Sequence, residues 1–137
     1  VNHDRTRSYG AHLYIDRLGR VRASHNLAQP RLSTKVERLQ PDLVGLFIAV
    51  ECVQPRALDR HGRETRSPTP AFTTAQLDTL ALSYIVASHR ARQWLIPALH
   101  AGVDSGLDGA HDDPGNFNLK RWSGRVGYWV RQLQRHA

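Results

Sequence analysis

The run Val44-Gly-Leu-Phe-Ile-Ala-Val-Glu-Cys-Val53 constrains the fold more than any other stretch of the chain. It is almost continuously apolar, and an apolar run of this length reads as a strand covered on both faces. A strand covered twice needs packed material on each side, so the chain is expected to build layers around a sheet. Side-chain alternation puts Leu46, Ile48, Val50 and Cys52 on one face and Phe47, Ala49, Glu51 and Val53 on the other. Glu51 then stands in an otherwise apolar row. A carboxylate in such a place must find a partner or keep its proton. That makes Glu51 a candidate general base, with a structural ion pair as the alternative.

The remaining elements follow from local signals. Ala11–Asp16 reads as a strand, Leu18-Gly19 as a turn and Arg20–Ser24 as the hairpin partner. Ser33–Leu39 suits a short helix. Residues Gln54–Ala71, with Pro55, Pro68 and Pro70, form a polar loop. Thr73 with Gln76 makes a capping box opening a helix. Leu77, Leu80, Ala81, Tyr84, Ile85 and Ser88 follow at helical spacing, and the helix is expected to end near Arg92. Leu95-Ile96 reads as a short strand leading to His100. Asn118 is a candidate N-cap for a last helix from Leu119. Its apolar stripe is Trp122, Val126, Trp129, Val130 and Leu133, and Gly124 and Gly127 inside it suggest close packing against another element. The pattern predicts a single α/β domain over 1–137, sandwich-like around a central sheet.

Composition narrows the function classes. The chain has 137 residues, 40% apolar and 23% charged, which suits one globular domain. It has no long apolar run, so no membrane span is expected. A formal net charge of +7 draws it to anionic partners: nucleic acid, a membrane surface or an acidic wall polymer. The arginines are spread along the chain without a dense basic block or interleaved aromatics. That argues against a dedicated nucleic-acid module and suits a solvated basic surface. The single cysteine, Cys52, excludes an intrachain disulfide and a multi-cysteine zinc cluster. It is expected to be a small buried apolar residue. There is no Gly-rich phosphate loop and no Gly-x-Ser-x-Gly elbow. Nothing in the sequence fixes the oligomeric state.

The chemistry concentrates in His100-Ala-Gly-Val-Asp-Ser-Gly-Leu-Asp-Gly-Ala-His-Asp-Asp-Pro-Gly115. Connecting loops use Asp, Gly and Pro for turns but seldom add two histidines. Imidazole and carboxylate are zinc ligands, and three of them with one open position make a catalytic site. Pro114 biases Asp113 toward extended backbone, so His111 and Asp113 can point the same way. His100, His111 and Asp113 are therefore candidate ligands, set against the plainer reading of a turn with Asp caps and surface histidines. His12, between Ala11 and Leu13 on a strand, reads as a core or supporting residue before a ligand. His3 and His25 lie in polar context. His61, His89 and His136 read as surface residues.

The order of these parts resembles the zinc-dependent N-acetylmuramoyl-L-alanine amidases of the peptidoglycan-recognition type. The matching stretches are Tyr9-Gly-Ala-His-Leu-Tyr-Ile-Asp-Arg-Leu-Gly19, Ile48-Ala-Val-Glu51, Phe72-Thr-Thr-Ala-Gln76, His100, Asp112-Asp-Pro-Gly115 and Trp122. They span nearly the whole chain; each is short, and their shared order and spacing carry the resemblance. It implies a mixed central β-sheet packed by helices, a Zn2+ cofactor, and hydrolysis of the amide bond between N-acetylmuramic acid and L-alanine in peptidoglycan or muropeptide. By resemblance His100 and Asp113 are the second and third zinc ligands and Glu51 the catalytic glutamate. His111 stands where many members carry a transition-state-stabilising lysine. The family's first ligand lies on a strand upstream of the His12 strand. Only eleven residues precede His12, so that strand is expected to be missing. His3, His12 or His111 is then the candidate for the remaining ligand, unless another chain or an upstream segment supplies it. The longer gap between His100 and Asp113 is a further departure. The implied setting is the cell envelope, the periplasm or outside the cell. A non-catalytic peptidoglycan- or partner-binding module of the same fold is the alternative.

Overall fold

A computed structural model describes residues 10–43, 45–55, 58–63, 70–108 and 114–137. The protein is α/β. Three short strands, β1 (Leu13–Ile15), β2 (Val21–Ala23) and β3 (Val50–Cys52), form one sheet in the order β2-β1-β3. Four helices are described: α1 (Lys35–Leu39), α2 (Thr74–Ala91), α3 (His100–Val103) and α4 (Leu119–Arg135). A 3-10 turn at Pro41–Leu43 follows α1.

The sheet is mixed. Asp16 N–H donates to Arg20 O at 3.0 Å and Ser24 N–H to His12 O at 2.9 Å, so β1 and β2 pair antiparallel. Leu13 N–H donates to Ala49 O at 3.3 Å and Val53 N–H to Ile15 O at 2.8 Å, advancing together along β1 and β3, which run parallel. The β1–β2 turn is built by Asp16, whose Oδ1 accepts from the N–H groups of Leu18 and Arg20, both at 2.9 Å. Gly19 completes it at φ +80°, where a Cβ would also meet Ala75 O at 2.7 Å.

The strand expected over 44–53 is far shorter. Only Val50–Cys52 pair, Gly45 turns the chain at φ +91°, and Leu46 and Val53 are exposed. Among the described residues β3 lies at the sheet's edge with β1 as its neighbour, and no second ladder extends it. Glu51 is consequently solvent-exposed, and the expectation of a carboxylate in an apolar row is corrected. Leu95-Ile96 is not a strand either. Leu95 is tied to α2 by side chains instead: its N–H donates to Ser88 Oγ at 3.1 Å and its O accepts from Tyr84 Oη at 2.7 Å.

The chain divides into two compact units. The first comprises 1–14, 22–51 and 97–114 and holds α1 and α3. Its buried residues are mostly polar: His12, Arg31, Thr34, Glu37 and Asp104, with Ala11 and Leu32. The second comprises 15–21, 52–96 and 115–137 and holds α2 and α4. Its core is apolar, with Phe72, Leu77, Ala81 and Trp122 buried and Cys52, Tyr84, Phe117, Val126 and Trp129 packed on them. Phe72 meets Phe117 edge-on, as Tyr84 meets Trp122, each at 5.1 Å between ring centroids. Such pairs add about 0.5–1.5 kcal/mol beyond the area they bury.

Both long helices start as their sequences predict. Thr73 caps α2 in a capping box with Gln76, and α2 ends at Arg92 in the left-handed region, φ 55°. Asn118 Oδ1 accepts from Arg121 N–H at 2.9 Å and caps α4. The glycines of α4 do not mark close packing: a Cβ at Gly124 would meet nothing within 4 Å, and at Gly127 only the end of the Arg131 side chain. Of the predicted stripe, Trp122 is buried and Val126 and Trp129 join the core, while Leu133 is 49% exposed.

Candidate functional site

The candidate site residues among the described part of the chain, His12, Glu51 and His100, all belong to the first unit. His3, His111 and Asp113 lie outside the described residues.

His12 sits one residue before β1 and is fully buried. Its Nδ1 accepts from the Ala49 N–H at 3.1 Å, and its Nε2 lies 2.6 Å from Gln29 O. A carbonyl only accepts, so the ring carries its proton on Nε2 and is the neutral tautomer. Both nitrogens are thereby spent on backbone groups, and no lone pair is left for a metal. His12 is removed as a candidate ligand; its imidazole joins the backbone before β1 to the residues leading into β3.

His100 opens α3, and its side chain is 21% exposed. Its Nε2 lies 3.1 Å from Oδ2 of Asp104, whose side chain is completely buried. The four-residue spacing puts both on one side of the α3 turn. Asp104 faces α1 as well. Its Oδ2 accepts from Lys35 N–H and its Oδ1 from Val36 N–H, both at 3.1 Å.

The start of α1 is surrounded by side-chain acceptors. Thr34 Oγ1 accepts from Glu37 N–H at 3.1 Å, and Glu37 Oε1 accepts from Ser33 N–H at 3.2 Å and Thr34 N–H at 3.1 Å. The N–H groups of residues 33 to 37, which a helix cannot satisfy internally, thus end on Glu37, Thr34 and Asp104. Carboxylates at this position also suit the positive end of the helix dipole. Lys35 Nζ reaches the carbonyl of Asp108, tying the loop after α3 to α1.

Sequence reasoning counted Asp104 only as one aspartate of a loop and passed over Glu37. Signals for both were present. Thr34-x-x-Glu37 is a capping-box spacing, and His100 and Asp104 stand one helical turn apart.

Glu51 is exposed on β3 between Val50 and Cys52, and Cys52 packs on the second unit's core, as alternation requires. His61, His89 and His136 are exposed, as expected. Among the described residues no three His, Cys, Asp or Glu side chains form a group that could hold a metal ion. Among the described residues His100 is a partly exposed imidazole whose Nε2 lies beside the buried carboxylate of Asp104. No helix among the described residues is long and apolar enough to cross a membrane. No family model, no curated protein and no solved structure matches this chain.

Proposed function

We propose that this protein is a peptidoglycan amidase that hydrolyses the bond between N-acetylmuramic acid and L-alanine with zinc-assisted attack of water. The observation that carries the reading is the place of His100. It opens the histidine- and aspartate-rich loop in the same unit as Glu51, and its Nε2 lies 3.1 Å from the buried carboxylate of Asp104. The order of motifs along the chain supplies the rest. His100 and Asp113 would hold the zinc, with His111 or His3 as the further ligand. When bound, zinc lowers the pKa of its water toward about 7 and polarises the amide carbonyl. Glu51, reachable from solvent, takes the proton of the attacking water and returns it to the leaving amine. If His3 completes the ligand set, His111 is left to donate to the oxygen that gains charge.

The test is release of stem peptide from purified sacculi, alongside the zinc content of the purified chain. Hydrolysis should disappear on chelation, return with zinc, and fall about 10²–10⁴-fold in Glu51→Gln. A zinc-loaded chain without turnover would end the enzymatic reading.

A second reading, a non-catalytic peptidoglycan- or partner-binding module, is favoured by one observation. Glu51 lies in open solvent, not in the apolar setting that tunes a general base. It predicts that the chain sediments with sacculi, that Glu51→Ala binds as tightly as wild type, and that neither protein cuts.

A further inference from the structure

We propose that the end of α2 carries a stacking site for single-stranded nucleic acid, with one base on the open face of Trp94 and its neighbouring phosphates meeting Arg90 and Arg92. The site lies in the second unit and stands apart from the amidase reading. Trp94 is 62% exposed, although an indole usually goes into the core. It stacks on Tyr84, with ring centroids 5.7 Å apart and the planes 26° from parallel. Tyr84 in turn meets the buried Trp122 edge-on. Three rings thus run outward from the core, and among the described residues the outermost has no ring on its far side.

The platform is also held in place. Tyr84 Oη donates to Leu95 O at 2.7 Å and Leu95 N–H to Ser88 Oγ at 3.1 Å, which pins the backbone beside Trp94 to α2. A ring fixed beforehand loses little freedom when a second flat ring covers it. Charge selects the ligand. Arg90 and Arg92 are exposed, and among the described residues neither has an ion pair. Two full positive charges exceed the roughly half negative charge of a helix C-terminus, so the end of α2 attracts anions. A flat apolar face beside bare guanidinium groups matches a nucleotide, which joins an aromatic ring to a phosphate. In a duplex the bases stack on one another, so an unpaired strand is the form that reaches Trp94.

The test titrates the whole chain with an oligothymidylate of about a dozen nucleotides, read by tryptophan fluorescence, with circular dichroism reporting the fold. A base on Trp94 quenches its emission, so wild type should show saturable quenching, and a duplex of the same length should quench far less. Trp94→Ala should bind about 5–150-fold more weakly and lose most of the quenching. Arg90→Gln combined with Arg92→Gln should keep the quenching at saturation. Its slope of log affinity against log salt should flatten by about 1.4, roughly 0.7 for each of two phosphates. Should Trp94→Ala fail to fold, wild-type quenching and the arginine variant still decide. No saturable quenching of wild type, a folded Trp94→Ala with unchanged affinity, or an unchanged salt slope in the arginine variant overturns the assignment. So does displacement of the oligonucleotide by a neutral chitin oligosaccharide, which would make the ring a sugar platform. None of these outcomes alters zinc content or stem-peptide release, the measures on which the amidase reading depends.

Discussion

Gly124 sits inside α4, where glycine is a poor helix former, and nothing in the structure requires it there. It is exposed, and a Cβ would meet no atom within 4 Å. Gly124→Ala should therefore raise stability by about 1 kcal/mol, read from urea or thermal unfolding. At Gly127 the nearest atom is the end of the flexible Arg131 side chain, 3.3 Å away, so alanine there should gain less. Asp16 gives a prediction in pH. Desolvation works to raise its pKa, but the Arg20 N–H, the Arg20 side chain and the Leu18 N–H outweigh it and hold the carboxyl below its usual value. The carboxylate thus binds its proton less readily folded than unfolded. Its contribution is complete above the ordinary carboxylate pKa and is lost as pH falls through the lowered one. Asp16 in the folded chain should titrate by NMR below a model aspartate, and Asp16→Asn should flatten the acid limb of the stability curve. An unchanged limb would show that the hairpin does not depend on this charge.

Between α2 and α4 the contacts rank by burial. Asp78 Oδ1 accepts from Arg125 Nε at 2.5 Å and from Trp129 Nε1 at 3.0 Å, but Asp78 and Arg125 remain partly exposed. Asp78→Ala should cost roughly 1 kcal/mol, since water can replace the lost acceptor. Trp122 is 6% exposed amid Phe72, Leu77, Ala81 and Tyr84, and truncating it leaves a cavity. Trp122→Ala should cost about 3–5 kcal/mol. If the two variants were equally destabilising in denaturant titrations, the aromatic cluster would not be the main support of this unit. The elements that could be read from sequence are those whose reasons are local. Thr73 with Gln76, and Asn118 with Arg121, make hydrogen bonds across three residues, so their spacing is the structure. Strand length is different, because a strand extends only as far as its neighbours do. The run from Val44 to Val53 was apolar enough for a long central strand, yet β1 offers it only a short ladder at the sheet's edge. Leu95-Ile96 failed for a related reason: Tyr84 and Ser88 hold that backbone in place of a strand partner. At the candidate site, the nearness of His100 to Asp104 follows from their four-residue spacing across the α3 turn. The loss of His12 as a ligand was not legible, because it depends on the carbonyl of Gln29 and the amide of Ala49, both distant in sequence.

Charge is distributed unevenly along the whole chain, and this bears on how the protein would reach its substrate. No acidic residue occurs from Pro114 to Ala137, whereas Lys120, Arg121, Arg125, Arg131 and Arg135 do. Arg125 is balanced by Asp78, but Lys120, Arg131 and Arg135 are exposed. The proposed chemistry belongs to the first unit and these cations to the second. Attraction to an anionic polymer and zinc-dependent cleavage should therefore be separable. The triple variant Lys120→Gln, Arg131→Gln, Arg135→Gln should sediment less with anionic sacculi at low ionic strength and keep the zinc affinity of wild type. Exposed charges act over roughly a Debye length, about 10 Å at 0.1 M salt and 3 Å at 1 M, so the difference between variant and wild type should close as salt rises. A difference that persists at high salt would mean that these side chains make short-range contacts in place of supplying a field. Nucleic acid would respond to the same charges, so the experiment needs a duplex DNA control. Binding to DNA tighter than to sacculi, falling steeply with salt, would move the protein to a different class of partner. Binding to sacculi with weak DNA binding would place these cations in the service of the wall polymer, because a general attraction to polyanions favours DNA, the more densely charged of the two.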